Sequence, residues 1–483
     1  MKSLFLIPVT FFLSACNINT VEKDVAPGFS VIDPDQKTPA TKLVSTKDFS
    51  LFLSSQSSQS TISVKDYSDD ATIVQGIGVA DLFDNGQNDI FLCSTTYRNF
   101  LSHPVVILRA NNGGLKNVTN SVFNGNVPTT NQCTMPIFKD LNGDGKKDVI
   151  YSEAGRDAPP WTGTAVEVAL NTGNNLSRIT EMFEEKVMGI RSYATAAGNL
   201  DRDPFGEIVL SSGTDAKKSV ILEFDGDLVS VKPNKFSQRG IWDDASNSTN
   251  MQVADFDNDG KQDIYLGGSW YSHSNRIIWS GLLGNGLAVL PDTPLGFTKD
   301  VNKKSISGAD ITSSAVADFD NDGDLDIVNV YEKVSGNWKG NSPDLKYGAS
   351  AIQVLEQTKR RKFEISDNLR DQSLGMRYYL TPIIFDLNND GYDDIIINYW
   401  RKAGDWKTQS LFSATIFMNK GGLNFTIIDA SKISGYSNNL KGMIFPLQRS
   451  SRGTKVAVLQ HYSGSGASMN RRLVSYTAEL SAK

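Results

Sequence analysis

The chain has 483 residues, of which 39% are hydrophobic and 21% charged. That balance excludes a disordered chain. A formal net charge of −6, with no long basic run, argues against nucleic acid as the main partner.

In chain order, Met1-Lys2 supplies a positive start and Leu4 to Leu13 an apolar stretch. This stretch is too short to cross a bilayer, which takes roughly 20 residues. It ends in Leu13-Ser14-Ala15-Cys16, which resembles the lipobox of bacterial lipoproteins. The resemblance implies cleavage before Cys16 and lipidation of its thiol. An ordinary secretory signal with a chance Cys is the other reading, and both export the chain. Asn17 after the Cys is, in that family, the pattern of the outer membrane. We therefore expect a signal peptide over 1–15, a lipidated Cys and tether over 16–45, and a folded body over 46–483, held in the bacterial cell envelope. Pro27-Gly28, Asp33-Pro34 and Thr38-Pro39 break any regular element in the tether. No later run of 18 apolar residues exists, so the lipid is the only expected membrane anchor. Cys93 and Cys133 remain, either as a disulfide or as two buried thiols.

A motif then recurs. Asp255-Phe-Asp257-Asn-Asp259-Gly260-Lys-Gln-Asp263 and Asp318-Phe-Asp320-Asn-Asp322-Gly323-Asp-Leu-Asp326 are nearly identical. Asp140-Leu-Asn142-Gly-Asp144-Gly145-Lys-Lys-Asp148 and Asp386-Leu-Asn388-Asn-Asp390-Gly391-Tyr-Asp-Asp394 keep every acceptor position. Two copies are weaker: that at Asp81 puts Phe83 at the third position, and that at Asn199 has lost the central Gly. The six copies begin at 81, 140, 199, 255, 318 and 386, at intervals of 59, 59, 56, 63 and 68. A period of about 60 with four strands per unit predicts propeller blades.

Within a unit, an apolar strand such as Ser314 to Ala317 leads into the motif, and a β-rich run such as Asp394 to Ile397 follows it. Third strands are predicted at Val105–Leu108, Val166–Leu170 and Ala414–Met418, and a fourth at Phe425–Ile428. Asn112-Gly113 and Gly421-Gly422 supply the turns. A seventh unit without acidic residues is predicted at Met443 to Leu447, a polar turn at Gln448 to Thr454, Lys455 to Leu459 and Arg472 to Ala478. It lacks an outer strand. Thr61–Lys65, alone before the first motif, is expected to supply one and close the ring. Eight blades or an open array are the alternatives.

The motif sets oxygen side chains at positions 1, 3 and 5, a turn-forming Gly at 6, and an Asp at 9. Calcium takes about 6–8 oxygens and accepts such a mixed set. The expected ligands are Asp140, Asn142, Asp144 and Asp148; Asp255, Asp257, Asp259 and Asp263; Asp318, Asp320, Asp322 and Asp326; and Asp386, Asn388, Asp390 and Asp394. No Glu stands at position 12 and strands flank the loop, so this is not an EF-hand. Four Ca²⁺ would shift the net charge from −6 to about +2.

These residues resemble the FG-GAP/VCBS repeats of bacterial surface proteins and of integrin α-subunit propellers, over roughly residues 60–480. Ala254, Ala317 and Lys139 precede the first Asp where integrins favour Gly, so the bacterial form is closer. The resemblance implies an all-β, seven-bladed β-propeller with Asp-rich calcium loops between the first and second strands of blades. Function does not carry over with the fold.

The connections between second and third strands are aromatic and basic: Tyr97 and Arg98; Arg156 and Trp161; Trp270, Tyr271, His273 and Arg276; Trp338 and Lys339; Tyr399, Trp400, Arg401, Lys402 and Trp406. Aromatics stack on sugars and Arg grips carboxylates, although Trp between blades is the plainer reading. Trp270, Tyr271, Arg276, Trp400 and Arg401 are the candidate ligand residues. His273 is the one candidate base. The chain is expected to be a monomeric surface binding or adhesion module for a glycan or protein. A polysaccharide lyase or glycoside hydrolase using that face is the alternative, and a structural role in the envelope a third.

Overall fold

The computed structural model describes residues 51–54, 60–62, 72–96, 102–111, 114–130, 133, 135–153, 166–179, 192–200, 204–211, 220–224, 231–233, 250–267, 276–279, 288–289, 309–333, 350–366, 369, 372–375, 378–402, 410–430, 433–434, 442–451, 453–462 and 472–482. Seven antiparallel sheets follow one another as the blades of a propeller. Blade 1 holds Thr72–Ala80, Asp89–Thr96, Val106–Asn111 and Gly114–Asn117. Blade 2 holds Ile137–Lys139, Asp148–Tyr151, Glu167–Asn171 and Leu176–Arg178. Blade 3 holds Thr195–Gly198, Glu207–Leu210, Val220–Phe224 and Val231–Pro233. Blade 4 holds Asn250–Ala254, Asp263–Gly267, Arg276–Ile278 and Ala288–Val289. Blade 5 holds Ala309–Ala317, Asp326–Lys333, Ser350–Lys359 and Lys362–Ile365, and blade 6 Tyr378–Phe385, Asp394–Lys402, Ser410–Asn419 and Phe425–Asp429.

Blade 7 is made from both ends of the chain. Met443–Ser450, Gly453–Tyr462 and Arg472–Ala482 pair in order. Arg472–Ala482 then pairs outward with Ser60–Ile62, through Thr61 opposite Val474, and with Leu51–Ser54, through Leu51 opposite Ala482. The outer edge is thus two short strands. The sequence reading saw the second, placing it at 61–65, and missed the first. The predicted polar turn at Gln448 to Thr454 is also shorter than expected. Gln448, Arg449 and Ser450 pair with Lys455, Thr454 and Gly453, because polar side chains at a ladder's end can face solvent without breaking it.

Each blade presents second-strand residues to a neighbour on both faces. Asp148–Tyr151, Glu207–Leu210 and Asp263–Gly267 are buried throughout, and such strands read as continuous apolar runs. Lys362–Ile365, at the rim, alternates exposed and buried. The apolar core therefore lies between blades. Phe256, Tyr265 and Ile277 of blade 4 pack with Ile327, Tyr331 and Leu355 of blade 5. Leu387, Ile396 and Ile416 of blade 6 share a core with Phe445 and Val458 of blade 7 and Ile90 and Leu108 of blade 1, which closes the circle. Cys93 and Cys133 form a disulfide, Cα atoms 6.2 Å apart, tying blade 1 to the segment entering blade 2.

Candidate metal centre

All six motif copies lie between the first and second strands of blades 1 to 6. The local sequence folds the loop around its own oxygens. In blade 4 Asp255 accepts the N–H groups of Asp259 at 3.1 Å and Gly260 at 2.8 Å, Asp257 accepts Asp259 at 3.2 Å, and Asp259 accepts Lys261 at 2.8 Å. The same pattern recurs from Asp140, Asn142 and Asp144, from Asp318, Asp320 and Asp322, and from Asp386, Asn388 and Asp390. Position 4 is left-handed, with φ of 72° at Gly143, 55° at Asn258, 61° at Asn321 and 66° at Asn389. That conformation is why only Gly or Asn stands there in these four loops.

Ligand atoms of Asp255, Asp257 and Asp263 lie within 4.8 Å of one another, as do those of Asp318, Asp320 and Asp322. In blades 2 and 6 the third position is an amide, Asn142 or Asn388, whose oxygen takes the same N–H group. Position 9 is buried in all four. Asp148, Asp326 and Asp394 each accept the N–H of position 2 and that of a third-strand residue. Burial pushes their carboxyls up to about 6, about 7 and about 8, against opposing hydrogen bonds. All-oxygen donor sets around underneutralised carboxylates fit a hard divalent cation.

Among the described residues cationic side chains reach three of these loops, and in blade 2 Lys146 donates to Asp144 at 2.8 Å. Asp257, its side chain fully buried, accepts Nε of Arg361 at 2.6 Å and Nη2 of Arg360 at 3.3 Å. Arg361 also stacks on Trp279, 4.7 Å from its ring centroid. Arg449 approaches Asp386 at 3.6 Å.

The loops are also joined to one another. The carbonyl at position 2 accepts a group from the next blade: Leu82 from Asn171, Leu141 from the N–H of Gly206 at 2.9 Å, Phe256 from Gln357 at 2.7 Å, Phe319 from Asn419 at 2.6 Å and Leu387 from Thr454 at 2.8 Å. Asn258 donates to the Gly323 carbonyl at 3.0 Å, and Asn321 to that of Gly391 at 2.9 Å. The sequence reading missed these latches and the arginines. An amide at the end of a third strand, as in Asn171, Gln357 and Asn419, was the available signal.

The expected ligand face stands differently. Trp270, Tyr271 and His273 lie outside the described residues, as do Tyr97, Arg98, Arg156, Trp161, Trp338, Lys339 and Trp406. Arg276, Trp400 and Arg401 belong to strands rather than connecting loops, which corrects their placement. Trp400 pairs with Tyr378 and Phe412, and Arg401 with Leu411, because the blade-6 ladder runs on to Lys402. Arg276 opens a strand opposite Leu266 and Val289. Tyr399 is buried, so it packs within the ring.

No protein-family model matches the sequence, and no curated protein matches it. Among solved structures the chain is similar to a B. megaterium levansucrase, at 10% identity over 78% of this chain and 85% of that one, TM-score 0.34. It is also similar to a GH43 β-1,3-galactosidase, at 10% identity over 89% and 94%, TM-score 0.35. Likeness at this level carries no argument about activity.

Proposed function

We propose that this chain is a calcium-stabilised propeller of the FG-GAP/VCBS kind, anchored in the bacterial envelope by lipid on Cys16, that binds a glycan or protein ligand. The observation that carries the metal part is the shared geometry of four loops. Each gathers oxygens at positions 1, 3 and 5 on the same backbone bonds, with a buried acid at position 9. Calcium suits them because its flexible shell accepts carboxylate, amide and backbone oxygens together. The Cys93–Cys133 disulfide supports an oxidising compartment, in keeping with export. Ligand recognition would use the connections on the face opposite the metal loops. The proposed contacts are Trp270 and Tyr271, with Arg276, Trp400 and Arg401 from the adjoining strand ends.

The test is a glycan array probed with the protein in calcium and in EDTA, with Trp270→Ala and Trp400→Ala beside the native chain. Binding that needs calcium and falls in both variants supports the reading. Release of shortened or unsaturated sugars would replace it with a hydrolase or lyase. Cys16→Ala should free the protein from the membrane fraction, and an unchanged distribution would remove the anchor.

A further inference from the structure

Blade 1 carries a motif loop that cannot be a full metal site, since Phe83 stands at its third position. Its backbone nevertheless keeps the form of the others. Asp81 accepts the N–H groups of Asn85 at 3.0 Å and Gly86 at 2.7 Å, and Asn85 accepts that of Gln87 at 2.9 Å. Asp84 and Gly86 are left-handed, with φ of 49° and 76°. Position 9 is Asp89, 1% exposed. In blades 2, 5 and 6 the matching carboxylate accepts only backbone N–H groups in the bonds described above. In blade 1 it accepts two bonds from one side chain, Nε of Arg109 at 2.7 Å and Nη2 at 2.9 Å. The same guanidinium lies over the Phe83 ring, 4.8 Å from its centroid, a cation–π contact. Arg109 therefore touches the side chains at positions 3 and 9, two of the three positions whose oxygens converge within 4.8 Å in blade 4.

We propose that Arg109 is the resident cation of the blade-1 loop, standing where other loops hold a metal, so that this loop takes none. The register supports the exchange. Arg109 comes one residue after Leu108, which pairs with Ile90. The corresponding residues in the metal-type blades are Leu170, Trp279, Glu356 and Met418, one beyond the pairs Val149–Ala169, Ile264–Ile278, Ile327–Leu355 and Ile395–Phe417. None is a cation. The blade that has lost the third-position oxygen has a guanidinium forked on its position-9 acid, whereas in blade 4 Arg361 and Arg360 meet the position-3 acid instead. A planar fork matches a carboxylate with two parallel bonds, and its flat face suits the aromatic ring. The lost ligand and the new cation are complementary. The loop also lies at the ring's closure, where Asn88 donates from its N–H to Leu447 at 2.8 Å and from its side chain to Pro446 at 3.2 Å. The joint between blades 7 and 1 is therefore independent of metal.

This rests on the metal reading of blades 2, 4, 5 and 6, and the experiment separates the two. Thermal melts in EDTA and in calcium, with bound calcium measured after dialysis, are compared for the native chain, Arg109→Leu, Phe83→Asp and the double variant F83D/R109L. Arg109→Leu should lower the melting temperature equally in both buffers, since no ion can take its place. F83D/R109L should bind one more calcium per chain than the native protein and recover its melt in calcium alone. Phe83→Asp with Arg109 retained should gain no ion, and it serves as the reading if Arg109→Leu does not fold. A melt unaffected by Arg109→Leu, or an extra ion bound by Phe83→Asp alone, overturns the proposal. A native chain that binds no calcium overturns the metal reading. The EDTA melt of Arg109→Leu then still decides whether Arg109 holds the loop.

Discussion

Asp148, Asp326 and Asp394 occupy one place in three loops, buried at the start of a second strand with both oxygens on backbone N–H groups. Their carboxyls, raised from 3.8 to about 6, 7 and 8, favour the fold while protonated. That advantage is complete below the unfolded value near 3.8 and is lost as pH climbs through about 6 to 8. In EDTA the protein should melt higher at pH 5 than at pH 8. In calcium the slope should reverse, because protons compete with the ion. A metal-free melting curve that is flat or rises with pH would contradict this. Asp257 and Asp320 hold the same motif position but different neighbours. Asp320→Ala should reduce only the stabilisation that calcium confers. Asp257→Ala should also cost stability in EDTA, since it strips Arg361 of its partner. Calorimetry with and without calcium distinguishes the two. The acids were legible in the sequence because each set falls within about ten consecutive residues, the spacing that a metal loop would need. Arg109 and Arg361 were not, being 20 and 104 residues from the carboxylates they serve.

At the level of the blade, the third strand does two jobs at its end. Asn419 gives its N–H to Asp394 of its own blade at 2.7 Å and its amide to Phe319 of the preceding one at 2.6 Å. Gln357 repeats this with Asp326 and Phe256. Asn419→Ala keeps the first bond and leaves the Phe319 carbonyl without its amide partner. Denaturant unfolding should show a loss of about 1–3 kcal/mol. A loss below the scatter of the measurement would mean that the latch is idle. The strands themselves were legible from β-branched runs after each motif, because burial on both faces makes them continuous. Their lengths were not. The blade-6 second strand runs on through Trp400 and Arg401 to Lys402, because ladder pairing with Ser410–Asn419 continues past its apolar stretch. A reading that ends strands at the first polar or aromatic cluster therefore assigned ladder residues to a loop.

For the whole ring, closure depends on Arg472–Ala482 finding its partners at the other end of the chain. Leu480, fully buried between Leu53 and Thr454, is the residue to test. Leu480→Ala should cost about 2–5 kcal/mol, the range for emptying a core leucine site. Limited proteolysis should then cut first near residues 51–62. Cleavage elsewhere, with those residues protected, would place the weak joint in another blade. The paired strands Leu51–Ser54 and Arg472–Ala482 stand roughly 430 residues apart in sequence, about as non-local as contacts in this chain can be. Blades 2 to 6 can each form soon after their own residues are available. The two short strands Leu51–Ser54 and Ser60–Ile62 must wait, edges bare, until Arg472–Ala482 has emerged. A chain made N-terminus first therefore spends that interval with an unsatisfied edge, and a chain cut short before Arg472 keeps that edge for good. Such species are the ones that pair with each other, so the step that completes the ring is also the step at which faulty copies are expected to aggregate.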